Sequence, residues 1–253
     1  MLGLSLAAQQ NNNEEESDVI KRDDAFKSVV KFSTTYMDNG VLTESTGTGF
    51  FLLKDDYHLF LITANHVTKD FTNDTIVQIA GKNKQVISVK LTDLKTSHNI
   101  VDHPSADISA IEVNIPFYNT LKSDTVLYPT SIIDKNKIRN LSRDEELTSV
   151  GFPKGLGTNN LFEPLTFRSY PASNIILNVT LSSGYKSDIF VMENASCGGY
   201  SGCPVIDLGY KVNGLMTQTS NTYIYGVMHG TISDDTGGKM AIVTPAYYVF
   251  DII

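Results

Sequence analysis

The sequence predicts an all-β protein of one or two antiparallel barrels, and three observations carry that expectation. Short runs rich in Val, Ile, Thr, Tyr and Phe recur along the chain, separated by turn residues. Helical periodicity is scarce. The length of 253 residues suits one large β domain or two small ones. Hydrophobic residues at 41% and charged residues at 19% mark a folded chain with a real core.

Residues 1–24 are expected to form a disordered or loosely attached arm, because 9–24 (QQNNNEEESDVIKRDD) are polar and low in complexity. Residues 1–8 (MLGLSLAA) are apolar and read either as the remnant of a signal peptide, which implies a periplasmic or secreted protein, or as a frayed end. Residues 25–120 form the first β unit, with strand-like runs at Ser28–Phe32, Gly49–Leu53, His58–Thr63, Thr75–Ala80, Gln85–Leu91 and Ile108–Val113. Residues 121–143 read as a polar linker. The second unit spans 144–243, with runs at Leu147–Gly151, Asn174–Leu181, Asp188–Met192, Tyr223–Met228 and Met240–Val243. A short helix is expected over 244–253, with Pro245 at its first position and Thr244 as its cap.

The formal net charge of −8, with no basic cluster to offset it, argues against a nucleic-acid partner. No apolar run approaches the ~20 residues that span a membrane, so no membrane partner is expected. The two cysteines, Cys197 and Cys203, lie six residues apart and read as free thiols, which favours a reducing, cytoplasmic compartment.

Three segments carry chemistry. Ala195-Ser196-Cys197-Gly198-Gly199-Tyr200-Ser201-Gly202 sets a serine between glycines, which permit the tight turn that exposes a nucleophile and aims backbone N–H groups at an oxyanion. Leu61-Ile62-Thr63-Ala64-Asn65-His66 is an apolar strand ending in small residues and a histidine, the side chain suited to general base and acid duty. Ser105-Ala106-Asp107-Ile108 opens an apolar run with a carboxylate, whose burial is costly unless it meets a donor. Each segment also has an ordinary explanation: a glycine-rich turn, a histidine at a strand end, a solvated aspartate. Asp102 is the competing carboxylate. His98, Asp102 and His103 in one polar loop read as solvated, with no spacing that would lock them around a metal.

Taken together, the three segments resemble the trypsin-like (chymotrypsin-fold) serine peptidases, nearer the bacterial Deg/Htr branch, over residues 30 to 250. Asp107 follows His66 by 41 residues and Ser201 follows Asp107 by 94. The order His, Asp, Ser is the one associated with that fold. The resemblance implies two packed antiparallel β-barrels with the site in the cleft between them. It implies that Ser201 is the nucleophile, His66 the base, and Asp107 the group that orients His66. The N–H groups of Gly199 and Ser201 would form the oxyanion hole. Ala195 would lie at the base of the pocket for the residue before the cut (P1), with His229, Gly230, Thr231 and Gly238 lining the substrate site and leaving it open. A methyl group at Ala195 implies small to medium apolar P1 residues.

The chain departs from the family pattern where Tyr200 replaces the Asp of animal trypsins, where Cys203 replaces a Gly, and where His229 replaces a frequent Ser. His229 in that place would support Asp107. The expected activity is endopeptidase cleavage of a protein or peptide substrate, with no cofactor and no metal. The alternatives are a dormant binding module of the same fold, whose oxyanion hole forms only with a regulatory partner, and an esterase or transferase using the same triad.

Overall fold

The computed structural model describes residues 25–253 apart from 122, 124, 125, 182 and 183. The expected N-terminal arm and the apolar residues 1–8 lie outside the described residues. The remainder is mostly β. The first seven-stranded sheet holds β1 (Val29–Asp38), β2 (Val41–Asp55), β3 (His58–Thr63), β4 (Ile76–Ala80), β5 (Val86–Lys90), β6 (Val101–Asp102) and β7 (Ser109–Val113). Its spatial order is β5-β4-β1-β2-β3-β7-β6, with antiparallel neighbours throughout.

The second sheet is built from β8 (Leu147–Gly151), β9 (Leu165–Ser169), β10 (Ile176–Thr180), β11 (Lys186–Met192) and β12 (Pro204–Asp207). A separate hairpin follows, β13 (Tyr210–Asn213) with β14 (Leu215–Gln218), and then β15 (Tyr223–Ser233) and β16 (Lys239–Pro245) complete the sheet. Its order is β10-β11-β16-β15-β12-β8-β9, again antiparallel.

Local chemistry explains the longest hairpin. Asn39 and Gly40 both have positive φ (49° and 81°), so a two-residue turn joins Asp38 to Val41 in register. Asn-Gly is the pair that adopts such a turn at least cost, because its twist matches that of the flanking strands. Strand alternation then separates two cores. Phe50, Leu52 and Ile62 point into a cluster that also takes Ile206 and Val227 from the second sheet and Phe152 from the residue after β8. Phe51, Leu59 and Leu61 point the other way, into a cluster confined to the first half. A third cluster, with Phe190, Val205 and Tyr225, fills the second half. The cleft between the halves therefore sits on a shared apolar floor.

The linker is anchored at both ends. Leu127 exchanges backbone hydrogen bonds with Phe51 and Leu53, and the N–H of Ile133 donates to the Ile224 carbonyl. Helices are single turns: α1 (Asn65–Thr68), α2 (Leu91–Leu94), α3 (Ile115–Thr120) and α4 (Lys135–Ile138). No helix among the described residues is long and apolar enough to cross a membrane. The C-terminal helix differs from expectation. It is a 3-10 helix over Ala246–Asp251, Pro245 precedes it, and Thr244 belongs to β16 without capping it. The pairing of β16 with β15 through Pro245 takes the residues that would have begun an α-helix.

The shared core should dominate stability. Phe50→Ala removes a fully buried ring and is expected to lower the urea-unfolding free energy by about 3–5 kcal/mol. Leu215→Ala, on the protruding hairpin at 81% exposure, should change it by no more than about 0.5 kcal/mol.

Candidate active site

Register brings the first two predicted side chains together. Thr63, the last residue of β3, pairs with Ser109, the first of β7. The residues just after β3 and just before β7 therefore emerge at the same sheet end. Ala64 is extended and α1 begins at once, turning His66 toward that end. Asp107 has no exposed surface. Its Oδ1 accepts the backbone N–H of His66 at 2.9 Å and its Oδ2 accepts His66 Nδ1 at 2.6 Å. A carboxylate can only accept, so Nδ1 of His66 carries a proton, and in the neutral ring the lone pair falls on Nε2.

His229 supplies a third N–H. Its Nδ1 donates to the same Asp107 Oδ2. His229 is the extra residue of a β-bulge, because Met228 pairs with Val243 while Gly230 pairs with Ile242. A bulge re-aims a side chain out of the strand's alternation, and here it sends the imidazole onto the carboxylate. The two imidazole rings lie 5.3 Å apart at 71°. Burial pushes the Asp107 carboxyl up, but the hydrogen bonds from His229 and His66, with their charge, outweigh it. The group is held well below the usual carboxylate range.

His66, Asp107 and His229 offer ligand atoms within 4.8 Å of one another. Both Nδ1 atoms are spent on one carboxylate oxygen, an arrangement built for protons. His98, Asp102 and His103 do not converge. His98 pairs with Glu112, and Asp102 accepts from Ser109. His103 departs from the solvated-loop expectation: it is 6% exposed and its Nδ1 accepts the N–H groups of Ser105 and Ala106 at 3.1 and 2.8 Å. It thereby shapes the turn that delivers Asp107. No periodic pattern marked this, because the contacts lie within four residues of a loop.

Ser201 is set against the same end from the second sheet. Its carbonyl accepts the N–H of Thr48 at 2.8 Å, and its Oγ donates to the His229 carbonyl at 3.2 Å. No hydrogen bond joins Ser201 Oγ to His66. Gly202, at φ +85°, leaves no room for a side chain: a Cβ there would lie 2.1 Å from the Thr48 carbonyl and 2.9 Å from Ala64 N. The serine turn is thus pressed onto the strand end that leads to His66.

Gly199 is as tightly held, at φ +98°, with its Cβ position 2.3 Å from the Phe152 carbonyl. Thr48 Oγ1 donates to the Gly199 carbonyl at 2.7 Å and accepts the Phe152 N–H at 3.1 Å. The carbonyl of Gly199 is therefore turned away, while the N–H groups of Gly199 and Ser201 find no acceptor among the described residues. Thr48 was not singled out from the sequence, although it sits within Gly47-Thr48-Gly49-Phe50, ahead of the strand leading to His66.

Of the pocket residues, Ala195 lies beside a space bounded by Phe167, Tyr200 and Met228 that holds only about 10 Å³. That is barely room for one water, so the space is narrow where an open one was expected. Thr231 Oγ1 donates to the Ser196 carbonyl at 2.8 Å, which brings Thr231 and Gly230 alongside this segment. Gly238 is elsewhere. It lies in the turn closing the β15–β16 hairpin, where its N–H meets Asp234 Oδ1 at 3.0 Å. Counting residues could not foresee that β15 runs on to Ser233. Cys203 is fully buried, and burial pushes its thiol up; Cys197 is exposed.

The description "trypsin-like peptidase domain" matches residues 47–215 of the chain. Among solved structures, the Rv3671c protease of M. tuberculosis H37Rv is similar at 18% identity and TM-score 0.55, over 91% of this chain and 86% of that one. The HtrA-type protease AlgW, solved with a tripeptide, is similar at 15% identity and TM-score 0.57, over 90% of this chain. This chain spans 61% of the AlgW chain. No curated relative matches the sequence significantly.

The depressed Asp107 carboxyl makes a prediction about stability. A carboxylate held low in the fold contributes stability that is fully present above the unfolded value of about 3.9 and is lost as pH falls through the folded value. The gap in unfolding free energy between wild type and Asp107→Asn should therefore not begin to close until pH drops below about 3.9. Urea titrations from pH 8 to pH 3 measure it.

Proposed function

Since the chain belongs to the trypsin-like peptidase family, we propose that it is a serine endopeptidase with Ser201 as nucleophile, His66 as general base and Asp107 as the orienting carboxylate. The observation that carries this reading is the two-point grip of buried Asp107 on His66, through Nδ1 and the backbone N–H. That grip fixes the tautomer whose Nε2 can take a proton.

In this mechanism Ser201 Oγ leaves the His229 carbonyl, gives its proton to His66 Nε2 and attacks the peptide carbon. The N–H groups of Gly199 and Ser201 receive the oxyanion. His66 then protonates the leaving amine, and water hydrolyses the acyl-enzyme. Substrate backbone would pair with β15 beyond Met228. There the strand keeps its partner β16, while β12 has ended at the Pro204–Val227 pair. An open strand edge beside the nucleophile suits an extended peptide, and AlgW was solved with bound peptides. The unspent N–H groups favour a formed oxyanion hole over the dormant reading, in which those donors would be occupied or turned away. His229 acts as a positioning residue for Asp107 and is not a replacement base.

The test is labelling by a fluorophosphonate probe together with peptide hydrolysis. Wild type should label at Ser201 and cleave peptides; Ser201→Ala should do neither. Asp107→Asn should lose roughly 10⁴ in kcat by imposing the wrong tautomer. His229→Leu removes one charge-assisted donor, worth about 1.5–3 kcal/mol, and should lower kcat about ten- to a hundredfold with little change in KM. His229→Ser, which restores a donor, should recover part of that loss. Wild type that neither labels nor hydrolyses would overturn the enzyme reading.

Specificity follows from the narrow space at Ala195. A peptide-library profile should favour small apolar P1 residues. Dominant Arg, Lys, Asp or Glu at P1 would contradict it, and Ala195→Gly should broaden the profile toward larger side chains.

A further inference from the structure

One cavity shares no residue with the site above. It lies at the seam between the two halves and encloses about 490 Å³, within the range that takes small organic ligands. Phe26 and Phe162 line it together with Lys27, Lys82, Lys84 and Glu163. Exposed Lys82 sets a positive charge at its mouth, beside the Lys84–Glu163 pair, in a chain of formal charge −8. Lys84 and Glu163 pair at 2.6 Å, and the Phe162 N–H donates to the Lys84 carbonyl at 2.8 Å. The mouth is thus stitched across the seam. Lys82 is exposed and forms no ion pair with the described residues. Aromatic rings and a positive charge in one lining suit an apolar body carrying one anionic group.

The same cavity is joined to the serine turn by one loop. Residues 152–164 connect β8 to β9, and their ends meet because Gly151 pairs with Leu165. One flank holds the turn: the Lys154 N–H donates to the Gly198 carbonyl at 2.7 Å, and Phe152 shares Thr48 Oγ1 with Gly199. The other flank, Phe162 and Glu163, lines the cavity. Between them the rings of Phe152 and Phe162 pack edge to face, 5.3 Å apart at 71°. Phe152 is fully buried, so a displacement of Phe162 is passed on and not absorbed by solvent.

We propose that this seam cavity binds a small organic carboxylate with an apolar body, and that occupancy acts on the oxyanion turn through the 152–164 loop. The second half of the proposal rests on the reading of Gly199 and Ser201 as oxyanion donors. Such a ligand shifts the turn only by the difference in its affinity for the turn's two arrangements.

The experiment uses the full chain and does not require hydrolysis. Titration with 8-anilinonaphthalene-1-sulfonate, an aromatic anion, is followed by fluorescence and by backbone amide shifts in NMR, with decanoate as competitor. The expected result is one saturable site per chain, displaced by decanoate and weakened at least about tenfold in Lys82→Glu. At saturation the amides of Gly199 and Ser201 should move while that of Lys211, on the protruding hairpin, stays. In Phe162→Leu, the Gly199 shift should shrink at equal occupancy. Absent binding, or binding equally tight in Lys82→Glu, would overturn the site. Saturation that leaves Gly199 unmoved, or an undiminished shift in Phe162→Leu, would overturn the coupling. Failure of peptide hydrolysis would count against the peptidase reading alone, because these readouts do not involve turnover.

Discussion

A carboxylate with no exposed surface can be ionised only where donors replace the water it has lost. Asp107 is such a group, and three N–H groups close around it: the backbone and Nδ1 of His66, and Nδ1 of His229. Two of these come from the helical turn that follows β3 in the first half, and one from β15 in the second. The interaction that orients the His66 imidazole is therefore also an electrostatic joint between the two halves. Removing either histidine leaves a buried charge short of a donor, so the site and the interface share one constraint.

Backbone contacts hold the rest of the site to that joint. Thr48 binds the carbonyl of Ser201 through its N–H and that of Gly199 through its hydroxyl. Gly202 approaches the Thr48 carbonyl and Ala64 so closely that only glycine fits. The serine turn is positioned by the middle of β2 and the end of β3, the strands that lead to His66. Geometry on one side of the cleft is thus copied onto the other by hydrogen bonds, with the shared core of Phe50, Phe152 and Val227 beneath.

How much of this was legible depended on whether a signal was local. Leu147–Gly151 was read with its true bounds because both faces are buried and turn residues flank it. β9 and the β13–β14 hairpin were missed because their side chains are exposed along most of their length, which leaves no alternation to detect. β12 was hidden by its length of four residues directly after the serine turn. His66, Asp107 and Ser201 were legible through motif and order, since each segment carries its own backbone requirement. The contact of His229 with Asp107 was expected from its place in the family pattern, and a β-bulge delivers it; the place of Gly238 follows from the length of β15, which no fixed spacing encodes. His103 looked like a loop residue because the burial that defines it comes from Tyr248 and Asp251, about 150 positions away.

The account stands on one carboxylate serving two imidazoles, and proton NMR of the ¹⁵N-histidine-labelled chain tests that most directly. Two far-downfield Nδ1–H resonances are predicted, one assigned to His66 and one to His229, both disappearing in Asp107→Ala. A spectrum in which only one histidine gives such a resonance, or in which either persists without the carboxylate, would contradict it.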